Sequence, residues 1–416
     1  MTKPLAIFSR HTLLDGHPFG FLTSPGENFG SPILGAWPHN LGDSYVAKAL
    51  ARLLSIDEYY VITRDASKAQ FDVLNSECSA VIVLAQNALQ YGWFEKNLPV
   101  AYLEKIKIPM VLISLGVQYR FHEEIKLSSD DQKSLRWLHD HAESSQVRGN
   151  ISAELLEKAG IRNTRVLGCP SILANSPKQA QIHSVKYNRS AYLLTDMGAI
   201  PDIHHWQFKL MEQLNNISED LSVVCQGGEY VLQSFIRARD GDEINRTALE
   251  EVTTTRSVSA AQFGLMDQSA FNLIRVKTER SSLSELRKSV EWYYREANSS
   301  VVTKILSDSI SADSVSELRR HCRAWGLCLS SRLHGGILAL NESVPTVFAV
   351  HDYRLKELVE LYNLPHVSFE TKQSPNLSET LVNASWEHLT ALREQVARQF
   401  VDFFDENNVP HNLGRL

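Results

Sequence analysis

No apolar run in this 416-residue chain reaches the roughly 18 residues a membrane-spanning helix needs. Residues 1–10 contain no apolar core of signal-peptide length. The expectation is a cytoplasmic protein without an integral membrane segment. Cysteine is scarce: the five residues Cys78, Cys169, Cys225, Cys322 and Cys328 are scattered, with no C-x-x-C pair. That excludes a disulfide framework and gives no support to a zinc site, so no metal is expected. Excess basic charge is also missing, the formal net charge being −6, which argues against nucleic acid as a partner. Neither a Walker A sequence nor a G-x-G-x-x-G fingerprint occurs, which argues against ATP or NAD chemistry.

What the chain does contain is alternation. Strand-like apolar runs at 59–62, 80–85, 109–116, 145–148 and 164–168 are separated by segments of helical length. Strands buried on both faces with helices between them indicate a parallel sheet in an α/β domain. A polar stretch at 176–190 reads as a linker. The alternation then resumes at 191–195, 221–225, 271–276, 325–329 and 345–350. The expected organisation is a first domain over 1–175, a second over 191–380, and a terminal segment 381–416 whose helix packs back on the first domain. Residues 1–38 show no sustained period and read as loops and strand fragments.

Ser331-Arg332-Leu333-His334-Gly335-Gly336 stands between the buried run at 325–329 and the apolar segment 337–340. A cation and an imidazole are thereby set at a strand-to-helix turn, the carboxyl edge where ligands of open α/β sheets bind. A helix start adds unpaired N–H groups that suit an anion. Arg148 repeats this placement at the end of the run at 145–148. Asn40-Leu41-Gly42-Asp43 precedes a helical pattern, with Asp43 as its N-cap and Asn40 and Gly42 near the same edge. Gly116 follows another strand, where it would let backbone approach a ligand. Gln226-Gly227 and His351-Asp352 end two strands of the second half. A bland alternative stands beside each: Arg148 as a surface ion pair, His334 as a hydrogen-bonded turn residue, Asp43 as a cap and nothing more. His139 and His141 are two apart on a helical pattern, the wrong spacing to share a metal.

In order and spacing these pieces resemble the polysaccharide pyruvyl transferase family. The match runs through Asn40-Leu41-Gly42-Asp43, Leu115-Gly116, Val147-Arg148 with Ser152, Gly168-Cys169-Pro170-Ser171, Ser331-Arg332-Leu333-His334, and Val344-Pro345 with His351-Asp352-Tyr353-Arg354. Gly149 replaces the acidic residue usual after the arginine, and Arg354 stands where many members carry lysine. The resemblance implies two Rossmann-like domains with parallel sheets facing a cleft, as in GT-B glycosyltransferases. It also implies transfer of pyruvate from phosphoenolpyruvate to two hydroxyls of a sugar or glycan, with no further cofactor. Arg148 and Arg332 would then clamp the donor beside Ser331, Leu333 and Gly335, with His334 as the general acid. Asp43 or Asp352 would take the hydroxyl proton, and membrane-bound glycan assembly machinery would be a possible associate. Two other readings fit the same residues, a GT-B glycosyltransferase or sugar-nucleotide enzyme and a non-catalytic glycan-pathway binding protein.

Overall fold

The computed structural model describes residues 5–9, 21–22, 41–54, 59–63, 66–141, 145–175, 182, 185–194, 201–225, 230–240, 283–294, 297–312, 314–371 and 374–413. Two sheets dominate it. The first has seven strands, β1 (Leu5–Ser9), β2 (Phe21–Leu22), β3 (Tyr59–Thr63), β4 (Val81–Leu84), β5 (Met110–Leu115), β6 (Ser145–Val147) and β7 (Thr164–Val166), in the order β2-β3-β1-β4-β5-β6-β7. Only the edge strand β2 is antiparallel to its neighbour. The second has six parallel strands, β8 (Ser190–Leu193), β9 (Leu221–Cys225), β10 (Ile310–Ser311), β11 (Leu327–Ser330), β12 (Thr346–Val350) and β13 (His366–Ser368), in the order β10-β9-β8-β11-β12-β13. The α/β architecture with two parallel sheets is therefore as expected.

The strands are apolar on both faces because helices cover both. In β1, Leu5 and Ile7 join one core while Ala6 and Phe8 join another, and in β5 Val111 and Ile113 part from Met110 and Leu112 in the same way. That is the two-residue period of a strand, written here in apolar residues throughout. β1 also corrects the reading of residues 1–38 as fragments. Its short apolar run is an interior strand, paired in parallel with β3 on one side and β4 on the other.

The core holding Leu5 and Ile7 does not stop at the first sheet. It continues through helix Leu41–Leu53, helix Leu333–Asn341, both faces of the second sheet and helix Leu389–Glu406 as one cluster. Helix Leu389–Glu406 lies against the 3-10 turn Pro170–Leu173, and beyond it the Asn412 amide donates to the Leu53 carbonyl at 2.7 Å. Elsewhere the carboxyl edges of the sheets meet: an antiparallel bridge joins Arg120 to Asp352, and the Tyr353 amide donates to the Tyr119 carbonyl at 3.0 Å. All five cysteines are buried. No helix among the described residues is long and apolar enough to cross a membrane. The expected strand at 271–276 and most of the polar stretch 176–190 lie outside the described residues.

Candidate active site

Strand order in the second sheet reverses between β8 and β11: the chain runs outward through β9 and β10 on one side and through β12 and β13 on the other. The crevice at such a reversal is where ligands of doubly wound sheets bind. The Ser-Arg-Leu-His segment crosses it. The Ser331 amide and hydroxyl both donate to the Leu193 carbonyl, at 3.1 and 2.9 Å, and Arg332 Nε donates to the Leu194 carbonyl at 2.9 Å. Arg332 is the N-cap of helix Leu333–Asn341, so Leu333, His334 and Gly335 form its first turn with their amides ahead of the first i−4 bond, from Gly336 N to Arg332 O. Gly336 carries no side chain because a Cβ there would collide with the Phe348 ring of β12. This absence seats the helix directly on the sheet.

Arg148 comes from the first sheet, just beyond β6, and is completely buried, which removes the surface ion pair from consideration. Its Nη1 donates to the Asn87 side-chain carbonyl at 3.1 Å. Gly116 makes the room: a Cβ there would stand 3.2 Å from Arg148 Nε and 2.7 Å from the Gln86 carbonyl. The missing side chain thus accommodates the guanidinium, where the sequence suggested an approach of backbone to ligand.

His334 is where the halves meet chemically. Its Nε2 lies 3.7 Å from the Cys169 sulfur, which in turn accepts a 3.0 Å hydrogen bond from the Ser171 hydroxyl. Burial first, then the positive fields of Arg148 and Arg354, hold the imidazole pKa well below its ordinary value. A lowered pKa favours the neutral imidazole. Buried His351 is also lowered, mainly by desolvation and against the pull of Asp352, with Arg354 and Arg332 contributing repulsion. Its Nδ1 lies 3.2 Å from the Ala349 carbonyl. Asp352 caps helix Tyr353–Leu361, Oδ1 accepting from the Leu355 amide at 2.8 Å, while Oδ2 lies 3.3 Å from Arg354 Nη2 and 3.7 Å from His351 Nε2.

Gly42 is buried on helix Leu41–Leu53. Asp43 falls inside that helix, which begins at Leu41, so it is not the N-cap expected of it. Asn40, Gln226 and Gly227 lie outside the described residues. Sequence reasoning left Arg354 out of the site and missed Asn87, Cys169 as a neighbour of His334, and Glu357. The Glu357 carboxylate is buried, accepts from the Ser152 hydroxyl at 2.7 Å, and has its pKa raised to about 7, desolvation outweighing the pull of Arg148. No group of three or more His, Cys, Asp or Glu among the described residues could hold a metal. A separate polar cavity of about 350 Å³ is lined by Arg52, Asn175, Arg319, Arg323 and Glu342, but Glu342 already engages Arg319 and Arg323 at 2.7 and 3.0 Å.

Fold and site together define a two-sheet α/β protein with a cationic, histidine-centred site at the carboxyl edges of both sheets. The polysaccharide pyruvyl transferase family model matches residues 40–353, and the chain belongs to that family. No match was found among curated proteins. Among solved structures it is similar to S. aureus MnaA solved with UDP, at 11% identity and a TM-score of 0.45, covering 94% of this chain and 91% of that one. It is also similar to the UDP-GlcNAc 2-epimerase from Methanocaldococcus jannaschii, at 11% identity and a TM-score of 0.36, covering 88% and 83%.

Proposed function

We propose that the site binds phosphoenolpyruvate and transfers its pyruvyl group to two hydroxyls of a sugar or glycan acceptor, leaving a cyclic ketal and inorganic phosphate. The observation that carries this reading is the convergence on one buried imidazole of positive fields from Arg148, in the first half, and Arg354, in the second. Guanidinium groups suit a ligand bearing both a carboxylate and a phosphate, because each anion accepts paired N–H donors. Arg148 and Arg332 hold these groups, with the first-turn amides beside His334 adding donors.

An anionic donor reverses the local field. Repulsion from Arg148 and Arg354 is cancelled, and the His334 imidazole gains a proton as the donor enters. That proton passes to the methylene carbon while one sugar hydroxyl attacks the adjacent carbon and returns its own proton to the imidazole. The second hydroxyl then displaces phosphate at the same carbon, closing the ring, and its proton leaves with the phosphate. The setting is the cytoplasm, with glycan assembly at the membrane as the consumer of the product. No acceptor is named by the residues.

The test is incubation of the protein with phosphoenolpyruvate and an array of glycan acceptors, following phosphate release and the pyruvyl mass increment. Product with an acceptor is expected, and His334→Gln should lower kcat by ~10²–10⁴-fold while leaving donor affinity within a few-fold. Near-normal turnover by that variant would refute its role. A thermal shift with nucleotide-sugars and none with phosphoenolpyruvate would favour a glycosyltransferase. Glycan binding without phosphate release would favour a binding protein.

A further inference from the structure

Helix Asn150–Lys158 starts immediately after Arg148 with a cap that has no side chain. Its N-cap is Gly149, in extended backbone at φ −162 and ψ −179, and no side chain of its own segment caps it. An orphan amide in a buried first turn needs an acceptor. The acceptor comes from 205 residues away: Glu357 Oε2, on helix Tyr353–Leu361 of the second half, takes the Ser152 amide at 3.1 Å and the Ser152 hydroxyl at 2.7 Å. The Ser152 oxygen in turn accepts from the Val117 amide at 3.1 Å. Position 149 is empty because this carboxylate side chain fills it. A Cβ there would stand 2.6 Å from Glu357 Cβ, 2.9 Å from Cγ and 3.0 Å from Oε2.

These contacts bracket Arg148. Val117 follows Gly116, where a Cβ would stand 3.2 Å from the arginine's Nε; Ser152 lies in the turn that leaves the arginine. Glu357 ties the two together from the opposite half. It is 2% exposed, its Oε1 has no hydrogen-bond partner, and Arg148 is the charged group whose field reaches it.

We infer that Glu357 is a positioning residue for Arg148, a cap supplied in trans that sets the arginine in place only when the two halves are together. The inference rests on the donor role proposed for Arg148 and adds what orients it.

Two readouts need no donor. Glu357→Ala should raise hydrogen exchange of the first turn of helix Asn150–Lys158 by ~10-fold, the effect of losing one capping bond, and should speed phenylglyoxal modification of Arg148. Gly149→Ala, which pushes the carboxylate aside, should do the same. Glu357→Gln keeps an acceptor and should retain the protection. With phosphoenolpyruvate, Glu357→Ala should raise donor KM by ~10-fold with kcat within a few-fold, and Glu357→Gln should recover most of that affinity. Exchange at 150–158 that rises only in step with the whole molecule, with Arg148 reactivity unchanged, overturns the inference. If the wild type neither binds nor turns over phosphoenolpyruvate, the proposed function fails while the exchange and modification results still decide the role of Glu357.

Discussion

His334 carries a repulsive environment that only a ligand can relieve. Desolvation and the fields of Arg148 and Arg354 act in one direction on its imidazole, so the donor-free protein holds it neutral. A bound anion offsets two of those three effects. Binding should therefore take up a proton, and donor affinity should fall as pH rises through the pKa of the bound form. Calorimetry with phosphoenolpyruvate in buffers of different ionisation enthalpy should show uptake of up to about one proton. His334→Gln should remove the part of this uptake that the imidazole carries, and an uptake identical in the variant would place the proton elsewhere. Arginine geometry offers a second check. Arg148→Lys keeps the charge but replaces a planar fork with a point charge in a site where Gly116 and Asn87 already fix the fork. Donor KM should rise by ~10-fold or more, measured in steady state against a kcat that changes less.

Elements differ in how much of their logic the sequence displays. Strands β4, β5, β9 and β12 were legible because a strand buried on both faces is a largely apolar run, interrupted here only by small hydroxyl residues such as Ser114 and Ser222. β1 was not, because Leu5–Ser9 is short and followed by a stretch without period, so only its pairing with β3 and β4 reveals an interior strand. The placement of Arg332 and Arg148 at strand ends was legible for the same reason that the strands were. Glu357 was not: its partner is Ser152, and no local pattern records a cap from another part of the chain. Burial of that carboxylate has a thermodynamic consequence. Its pKa rises from the ordinary 4.5 to about 7, so between these values the folded protein holds a proton that the unfolded chain has released. The contribution is fully present below pH ~4.5 and lost as pH rises towards ~7, amounting to ~3 kcal/mol. Glu357→Gln should therefore gain in melting temperature relative to wild type at pH 8 compared with pH 5, and the same difference at both pH values would contradict the assignment. Gly168 offers an element-scale test without charge. Its φ is +81 and a Cβ would fall on the Tyr362 hydroxyl, the group that accepts from the Cys169 amide at 2.8 Å. Gly168→Ala should destabilise by ~2–4 kcal/mol, read by chemical denaturation.

At the scale of the molecule, the two sheets share a core. One face of the first sheet, helix Leu41–Leu53, helix Leu333–Asn341 and the second sheet belong to a single apolar cluster. Polar contacts reinforce it at the far end of the helix that carries His334. Asn341 Nδ2 donates to the Tyr45 hydroxyl at 2.6 Å and to the Ser171 carbonyl at 2.8 Å, and its Oδ1 accepts from Arg393 Nη2 at 3.2 Å. One buried amide thus joins helix Leu41–Leu53, the turn Pro170–Leu173 and helix Leu389–Glu406. Arg393 is itself buried, with its pKa lowered to about 10, chiefly by desolvation, and it still carries its charge at neutral pH. Removing Asn341 takes a partner from all three elements, although the Ser171 carbonyl keeps the Ala174 amide and Arg393 Nη2 keeps the Leu340 carbonyl, and an unsatisfied buried group costs ~1–3 kcal/mol. Asn341→Ala should lower stability by ~1–3 kcal/mol while the protein still unfolds in one calorimetric transition, because the apolar core continues from sheet to sheet. Two separated transitions in the variant, with the second sheet melting apart from the first, would show that this amide and not the shared core holds the halves together.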